Sequence, residues 1–141
     1  MKNYSIGKTG NINDIDGLEI YLFDDSTVVA TIKLYNFDFL PYLQTEIYDI
    51  LPDDTDLNNS NCILGLSLFI NENYRKQGLG IKMLELSFEE CKKYNINKWV
   101  GYRYNDNKIT EKMFNNLNLE TIVKNENIEV YIKKIIFEND F

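Results

Sequence analysis

A mixed α+β domain built on one sheet is what this chain predicts, and three features predict it. The first half is rich in β-branched and aromatic runs of strand length. The second half alternates such runs with amphipathic stretches of helical period. Between the halves an apolar run over 62–70 passes through a turn into the hexad Arg75-Lys76-Gln77-Gly78-Leu79-Gly80, where the longest amphipathic stretch opens.

The elements follow in order. A short strand is expected over 4–6, and strands over 18–23 and 28–35, with Asp24-Asp25-Ser26 as the tight turn between the last two. Segment 36–61 carries six acids and no Lys or Arg. Its Leu40, Leu43, Ile47 and Ile50 recur at helix-stripe spacing. A helix is therefore expected over 40–51, ended by Pro52 and followed by an exposed loop over 53–61. Run 62–70 reads as a buried strand. Over 79–94, Leu84, Phe88 and Cys91 share a face with Met83 and Tyr94, while Glu89 and Lys93 pair on the outer side. Lys92 and Lys93 suit the negative C-terminal end of that helix. A strand over 98–104 precedes a short helix over 110–117 that turns Met113, Phe114 and Leu117 inward. Strands over 120–123 and 128–136 close the sheet.

Composition narrows the chemistry. At 141 residues, 44% hydrophobic and 26% charged, the chain is expected to form one globular domain spanning 1–141. No apolar run approaches the roughly 20 residues of a membrane span, and the N-terminus lacks the apolar core of a signal peptide, so a cytoplasmic location is expected. The absence of histidine excludes Ser-His-Asp and Cys-His catalysis and His-ligated zinc; no metal is expected. Cys62 and Cys91 sit in apolar periodic contexts and read as buried thiols. A net charge of −7 disfavours nucleic acid and anionic lipid and suits a cationic partner.

The hexad is an anion site by position. Strand, turn and helix start in that order leave the first helical amides without internal partners, and the helix dipole adds positive potential there. Glycines at 78 and 80 remove Cβ atoms that would hold a phosphate off those amides. Arg75 offers a two-pronged contact to the same oxygens and Lys76 a looser point charge. A diphosphate-bearing ligand is the inference. A P-loop would need Gly-Lys-Ser/Thr, but Ile81 follows Gly80. A dinucleotide fingerprint would need a third glycine where Met83 stands.

Arg75, Gly78 and Gly80 instead complete the Arg/Gln-x-x-Gly-x-Gly/Ala signature of the GNAT N-acetyltransferase superfamily, which the chain resembles over about 62–119. A second block, Asn107-x-x-Thr110-x-x-Met113-Phe114-Asn115-Asn116-Leu117-Asn118-Leu119, resembles that family's Asn-x-x-Ala-x-x-Leu-Tyr-Glu-Lys-Leu-Gly-Phe segment. The resemblance implies a mostly antiparallel twisted sheet, splayed between its fourth and fifth strands and flanked by helices. It also implies acetyl-CoA as cosubstrate. The diphosphate would lie on Arg75, Lys76, Gln77, Gly78, Leu79 and Gly80, the pantetheine along Leu68, Phe69 and Ile70, and Asn107 and Phe114 beside it. For Asn107 alone, a helix N-cap is the competing role.

The implied reaction is direct acetyl transfer to a primary amine in a ternary complex, the acceptor being a polyamine, an aminoglycoside-like amine or a peptide amino group. A backbone N–H near Phe69 or Ile70 would polarise the thioester oxygen. The chain departs from the pattern in three ways. Phe114 stands where a tyrosine often protonates the leaving sulfur, leaving Tyr102, Tyr104 or water for that task. No carboxylate lies on the strand at 62–70, which leaves Glu46 and Asp49 as acidic candidates toward the acceptor. The family's helix pair after the first strand has no room before Leu18, and the segment at 40–51 would partly replace it. A module that holds CoA without turnover, an acidic protein that imitates nucleic acid, and assembly into a homodimer stay open.

Overall fold

A computed structural model describes residues 3–51, 57 and 61–137. Seven strands form one sheet in the order β1-β2-β3-β4-β5-β7-β6. These are β1 (Ser5–Gly10), β2 (Leu18–Asp24), β3 (Thr27–Asn36), β4 (Cys62–Ile70), β5 (Lys98–Tyr104), β6 (Glu120–Lys124) and β7 (Ile128–Lys134). β4 and β5 run parallel; the other neighbours are antiparallel. The hairpin turn is Asp25-Ser26, with Asp25 in the left-handed region at φ 55° and Asp24 paired to Thr27. The first strand is longer than the sequence indicates: its side chains are mostly exposed, so no apolar alternation marks it. Residues 11–17 join β1 to β2 through turns, with no helix pair between them.

Helices α2 (Leu79–Lys93) and α3 (Lys108–Asn116) cover one face. There Met83, Leu84, Phe88, Cys91 and Phe114 pack on Ile63, Trp99 and Tyr131 in the larger core. Two expectations for α2 are corrected. Tyr94 is exposed, and the outer ion pairs are Lys92–Glu89 at 3.2 Å and Lys93–Glu90 at 3.0 Å, one residue closer in spacing than a Glu89–Lys93 pair.

The opposite face is covered by the acidic segment, which is not one helix. It forms a 3-10 stretch, Phe37–Tyr42, and a single α turn, α1 (Ile47–Ile50). Pro41 has no N–H to continue a helix, and Leu43 is extended at φ −93°, ψ 132°. The stripe itself survives: Leu40 and Ile47 are buried, with Leu43 and Ile50 packed against the same cluster as Val100 and Val130. Periodicity reported the buried face, and proline altered the hydrogen bonding. Pro52 and most of the loop over 53–61 lie outside the described residues; Leu57, inside it, is buried and not exposed. α3 starts two residues earlier than the apolar spacing suggests because Asn107 caps it, and β7 ends at Lys134, leaving Ile136 exposed.

Cys62 and Cys91 are free and buried, and burial pushes the Cys62 thiol up to about 12. Among the described residues no helix is long and apolar enough to cross a membrane. Glu90 of α2 is 4% exposed and held by Lys8 of β1 and by Lys93. Burial alone would raise its pKa, but the two lysines outweigh that and hold it below the ordinary carboxylate value. Its contribution to stability is complete above the unfolded value of about 4.5 and is lost as pH falls through the lower folded value. Urea midpoints should therefore drop as pH falls below about 4.5, and Glu90→Gln should flatten that slope.

Candidate active site

The turn between β4 and α2 is built from local side-chain bonds. Asn71 accepts from the Asn73 amide at 3.0 Å and starts a 3-10 turn, Glu72–Tyr74. Arg75 is extended and its Nε donates to the Ile70 carbonyl at 3.3 Å. Lys76 (φ 64°) and Gly78 (φ 76°) are both left-handed, and Gly78 is the N-cap of α2, with no side chain capping the helix and no acid in its first turn. A Cβ on Gly78 would meet nothing within 4 Å, so the space before the helix start is open. The Tyr4 hydroxyl donates to Gln77 Oε1 at 2.8 Å, and Tyr74 donates to Asp24 at 2.8 Å, tying the turn to the β1–β3 side. Gly80 is set in a tighter place. It is buried, and a Cβ there would lie 2.3 Å from Sδ of Met113, the flexible side chain that α3 turns toward it. Leu79 likewise buries its side chain in the core, leaving only its backbone for a ligand.

Beside this turn the sheet forks. Parallel pairing of β4 and β5 covers Cys62↔Lys98, Ile63↔Trp99 and Leu64↔Val100 and then ends, while β4 runs on to Ile70 and β5 to Tyr104. The gap holds a cavity of about 340 Å³ walled by Gly65, Ser67, Leu68, Trp99, Tyr102 and Phe114, with Asn107 and Thr110 at one side. Against β3, Thr31 faces Phe69 and Lys33 faces Leu66, so Ser67 and Leu68 together oppose Ile32 in a bulge, with Ser67 at φ 58°. The irregular backbone thus lies just before Phe69 and Ile70, whose amides were expected to polarise the thioester oxygen. Leu68 reaches the cavity; Phe69 and Ile70 pair with β3 and stand outside its walls. Asn107 is the helix cap, its Oδ1 accepting from the Thr110 amide at 3.1 Å, and the residue also borders the cavity. Phe114 is 3% exposed and edge-on to Trp99 at 6.0 Å and Tyr131 at 4.8 Å.

A second cavity, about 610 Å³, lies at the end of β5 and is lined by Glu46, Asp49, Tyr104, Asn105, Asp106 and Glu126, with no Lys or Arg in its wall. Tyr104 belongs to both cavities. Its hydroxyl donates to Glu46 at 3.0 Å, and that bond pushes the phenol up to about 12. Asn105 donates to the Asn125 carbonyl at 2.9 Å but keeps a buried Oδ1 with no partner.

Sequence reasoning missed the residue that holds this corner together. Arg103 is buried, and its guanidinium donates to Tyr131 (2.8 Å), the Tyr104 and Asn105 carbonyls (3.1 and 2.9 Å), Glu111 (2.8 Å) and Glu129 (2.7 Å). It ties β5, β7 and α3 together where both cavities meet. Nothing in a lone strand arginine signals this. The Ser67 bulge was equally silent, because serine in a strand is unremarkable until its φ is seen.

Comparison with known proteins agrees with this geometry. Residues 9–118 match the family described as "Acetyltransferase (GNAT) family". No curated protein matches the sequence. Among solved structures, the ribosomal-protein-S18-alanine N-acetyltransferase from Escherichia coli superposes with a TM-score of 0.63 at 14% identity, covering 89% of this chain and 75% of that one. The PaiA N-acetyltransferase from Thermoplasma acidophilum, solved in complex with coenzyme A, gives 0.61 at 17% identity, covering 82% and 59%. YncA from Salmonella typhimurium, a putative acetyltransferase solved with its cofactor acetyl-CoA, gives 0.61 at 10% identity, covering 89% and 68%. At such identities these structures speak for the fold alone, but the family match spans most of the sequence together with the turn and the fork, and the chain belongs to the GNAT acetyltransferase family.

Proposed function

We propose that this protein transfers the acetyl group of acetyl-CoA to a cationic primary amine. The observation that carries the reading is the fork: a slot between two strands of one sheet, following directly on an open, uncapped helix start. In this reading the diphosphate sits on the amides after Gly78, with Arg75 and Lys76 outside it. The pantetheine lies in the slot past Leu68, Asn107 and Phe114. The acidic cavity receives the acceptor. Glu46, Asp49, Asp106 and Glu126 draw in ammonium groups, and Asn105 Oδ1 is an acceptor still lacking a donor.

An amine that has shed its proton attacks the thioester carbon. The C–N bond forms, the C–S bond breaks, and sulfur leaves as thiolate. Tyr104 is a poor acid for that thiolate. Moving a proton from a phenol at about 12 to a sulfur whose thiol has a pKa of about 8.5 is uphill by about 5 kcal/mol. Tyr104 therefore orients the acceptor between the two cavities, Tyr102 walls the slot, and the departing thiolate takes up, through water, the proton that the acylated nitrogen sheds. Much of the acceleration comes from holding amine and thioester in line. Two free buried thiols suit the cytoplasm.

Thiol release from acetyl-CoA with a panel of diamines, polyamines, aminoglycoside-like amines and peptide N-termini tests this. Acceptors with two or more positive charges should react best, losing their advantage at high salt. Glu46→Gln with Asp49→Asn should raise the acceptor KM about thirtyfold, from about 1 kcal/mol of attraction per carboxylate, with acetyl-CoA affinity unchanged. Equal KM values in variant and parent would remove the acidic cavity from the reaction. The buried, hydroxyl-free Phe114 favours one second reading, a domain that binds CoA without turnover. Tight cofactor binding with no thiol release from any amine would establish it.

A further inference from the structure

Two buried side-chain polar atoms among the described residues have no hydrogen-bond partner, Asn105 Oδ1 and Trp99 Nε1. The tryptophan stands at the apex of the fork. It belongs to the second of the three parallel rungs, and its indole extends beneath the point where the strands separate. Glycines on both strands make room for it. A Cβ on Gly65 would lie 2.2 Å from indole Cζ2 and 2.5 Å from Nε1, and one on Gly101 would lie 2.5 Å from Cη2. Phe88 and Phe114 fix the ring edge-on at 5.4 and 6.0 Å. The residue is 1% exposed, yet it and Gly65 both line the 340 Å³ slot, and the ring edge that lies against Gly65 is made of Cζ2, Cε2 and Nε1.

An unpaired buried N–H is costly, and more than nine in ten such groups in folded proteins are satisfied. A phenyl ring would fill most of the same apolar space without carrying the donor. The slot's own acceptors, on Gln44, Thr45, Ser67, Tyr102, Asn107 and Thr110, leave this donor unpaired, and the Arg103 guanidinium, a donor itself, cannot accept from it. A neutral donor favours a neutral acceptor, a carbonyl oxygen on a slender chain, over a charged phosphate.

We propose that the Trp99 indole N–H is the hydrogen-bond donor to a carbonyl oxygen of the acyl-pantetheine chain in the fork. The proposal rests on the acetyl-CoA reading. It assigns a binding residue that neither signature block contains. The carbonyl is either a pantetheine amide, present in CoA, or the acyl thioester, present only in acetyl-CoA.

Trp99 is the chain's single tryptophan, so uniformly ¹⁵N-labelled protein gives one indole N–H resonance. The native protein is titrated with CoA and with acetyl-CoA, and calorimetry follows binding in parallel. The resonance should move downfield and its exchange with water should slow. Movement with both ligands identifies an amide carbonyl, and movement with acetyl-CoA alone identifies the thioester. Binding heat with an unmoved resonance overturns the proposal while sparing the cofactor reading; no binding of either ligand overturns both. Trp99→Phe should weaken binding about three- to tenfold, the worth of one neutral hydrogen bond. A folded Trp99→Phe protein with native affinity would also overturn it, and the native resonance decides the question if that variant does not fold.

Discussion

Gly78→Glu should reduce acetyl-CoA affinity more than a hundredfold while the protein stays folded. Gly78 is the residue from which α2 starts, and a side chain there would project into space with no atom within 4 Å. That is the space a diphosphate must enter to reach the helix amides. A carboxylate about 5 Å from a phosphate charge, at an effective dielectric near 20, costs about 3 kcal/mol, which alone exceeds two decades. The glycine's φ of 76° adds a left-handed penalty of about 1–2 kcal/mol to folding for any L side chain. Gly78→Ala separates the two effects, since it carries the backbone strain without the charge. Alanine should lower the melting temperature about as much as glutamate does and keep most of the affinity. Calorimetry showing the glutamate variant binding acetyl-CoA like the parent would mean the diphosphate lies elsewhere.

The contrast between Gly78 and Gly80 shows how far such a signature can be read. Both occupy required places in one hexad, and ligand approach was the reason assigned to both. Gly78 faces open space, whereas Gly80 lies against Met113, thirty-three positions later in the chain. A local motif reports that glycine is needed and is silent on whether ligand or neighbouring helix needs it. Strands β4 and β5 were legible to the residue because each is a short run dominated by apolar and aromatic residues and flanked by asparagines. The fork between them was expected only through family likeness. The indole of Trp99 lies against Gly65 and Gly101 at its apex, joining residues from two strands that no window of sequence brings together. The acidic segment misled in the opposite way. Its stripe faces the core as expected, but Pro41 and the extended Leu43 divide it into two short turns. That break sets Glu46 at the start of α1, where it meets Tyr104 across 58 positions.

Arg103→Met should cost about 3–5 kcal/mol of stability, a large share of the roughly 5–15 kcal/mol such a domain possesses, and lower the melting temperature by about 10–15 °C. The loss comes from what the arginine leaves behind more than from the arginine itself. Glu129, whose side chain is 12% exposed, would lose the guanidinium beside it, and the Tyr104 and Asn105 carbonyls would lose their donors. In the parent, burial alone would raise the Glu129 pKa. Bonds from Thr121 and Tyr131 and the charges of Arg103 and Lys124 outweigh that and hold it below the ordinary value. Without Arg103 the folded pKa should rise from that depressed value toward the ordinary one. A depressed carboxylate contributes stability that is complete above the unfolded value of about 4.5 and is lost as pH falls through the folded value, and the variant gives up part of that contribution. The stability gap between variant and parent should therefore be widest near pH 7 and narrow below about pH 4.5. Glu129→Gln added to Arg103→Met should recover a substantial part of the loss at neutral pH, which a simple packing defect would not. Arg103→Lys restores the charge but not the planar fork that reaches β5, β7 and α3 together, so it should repair less than the double variant. Equal melting temperatures for Arg103→Met and parent at pH 7 would show that this cluster adds nothing to the fold. The corner it braces carries Tyr104 and the Asn107 cap, so the surviving folded fraction of Arg103→Met should also show a raised acceptor KM.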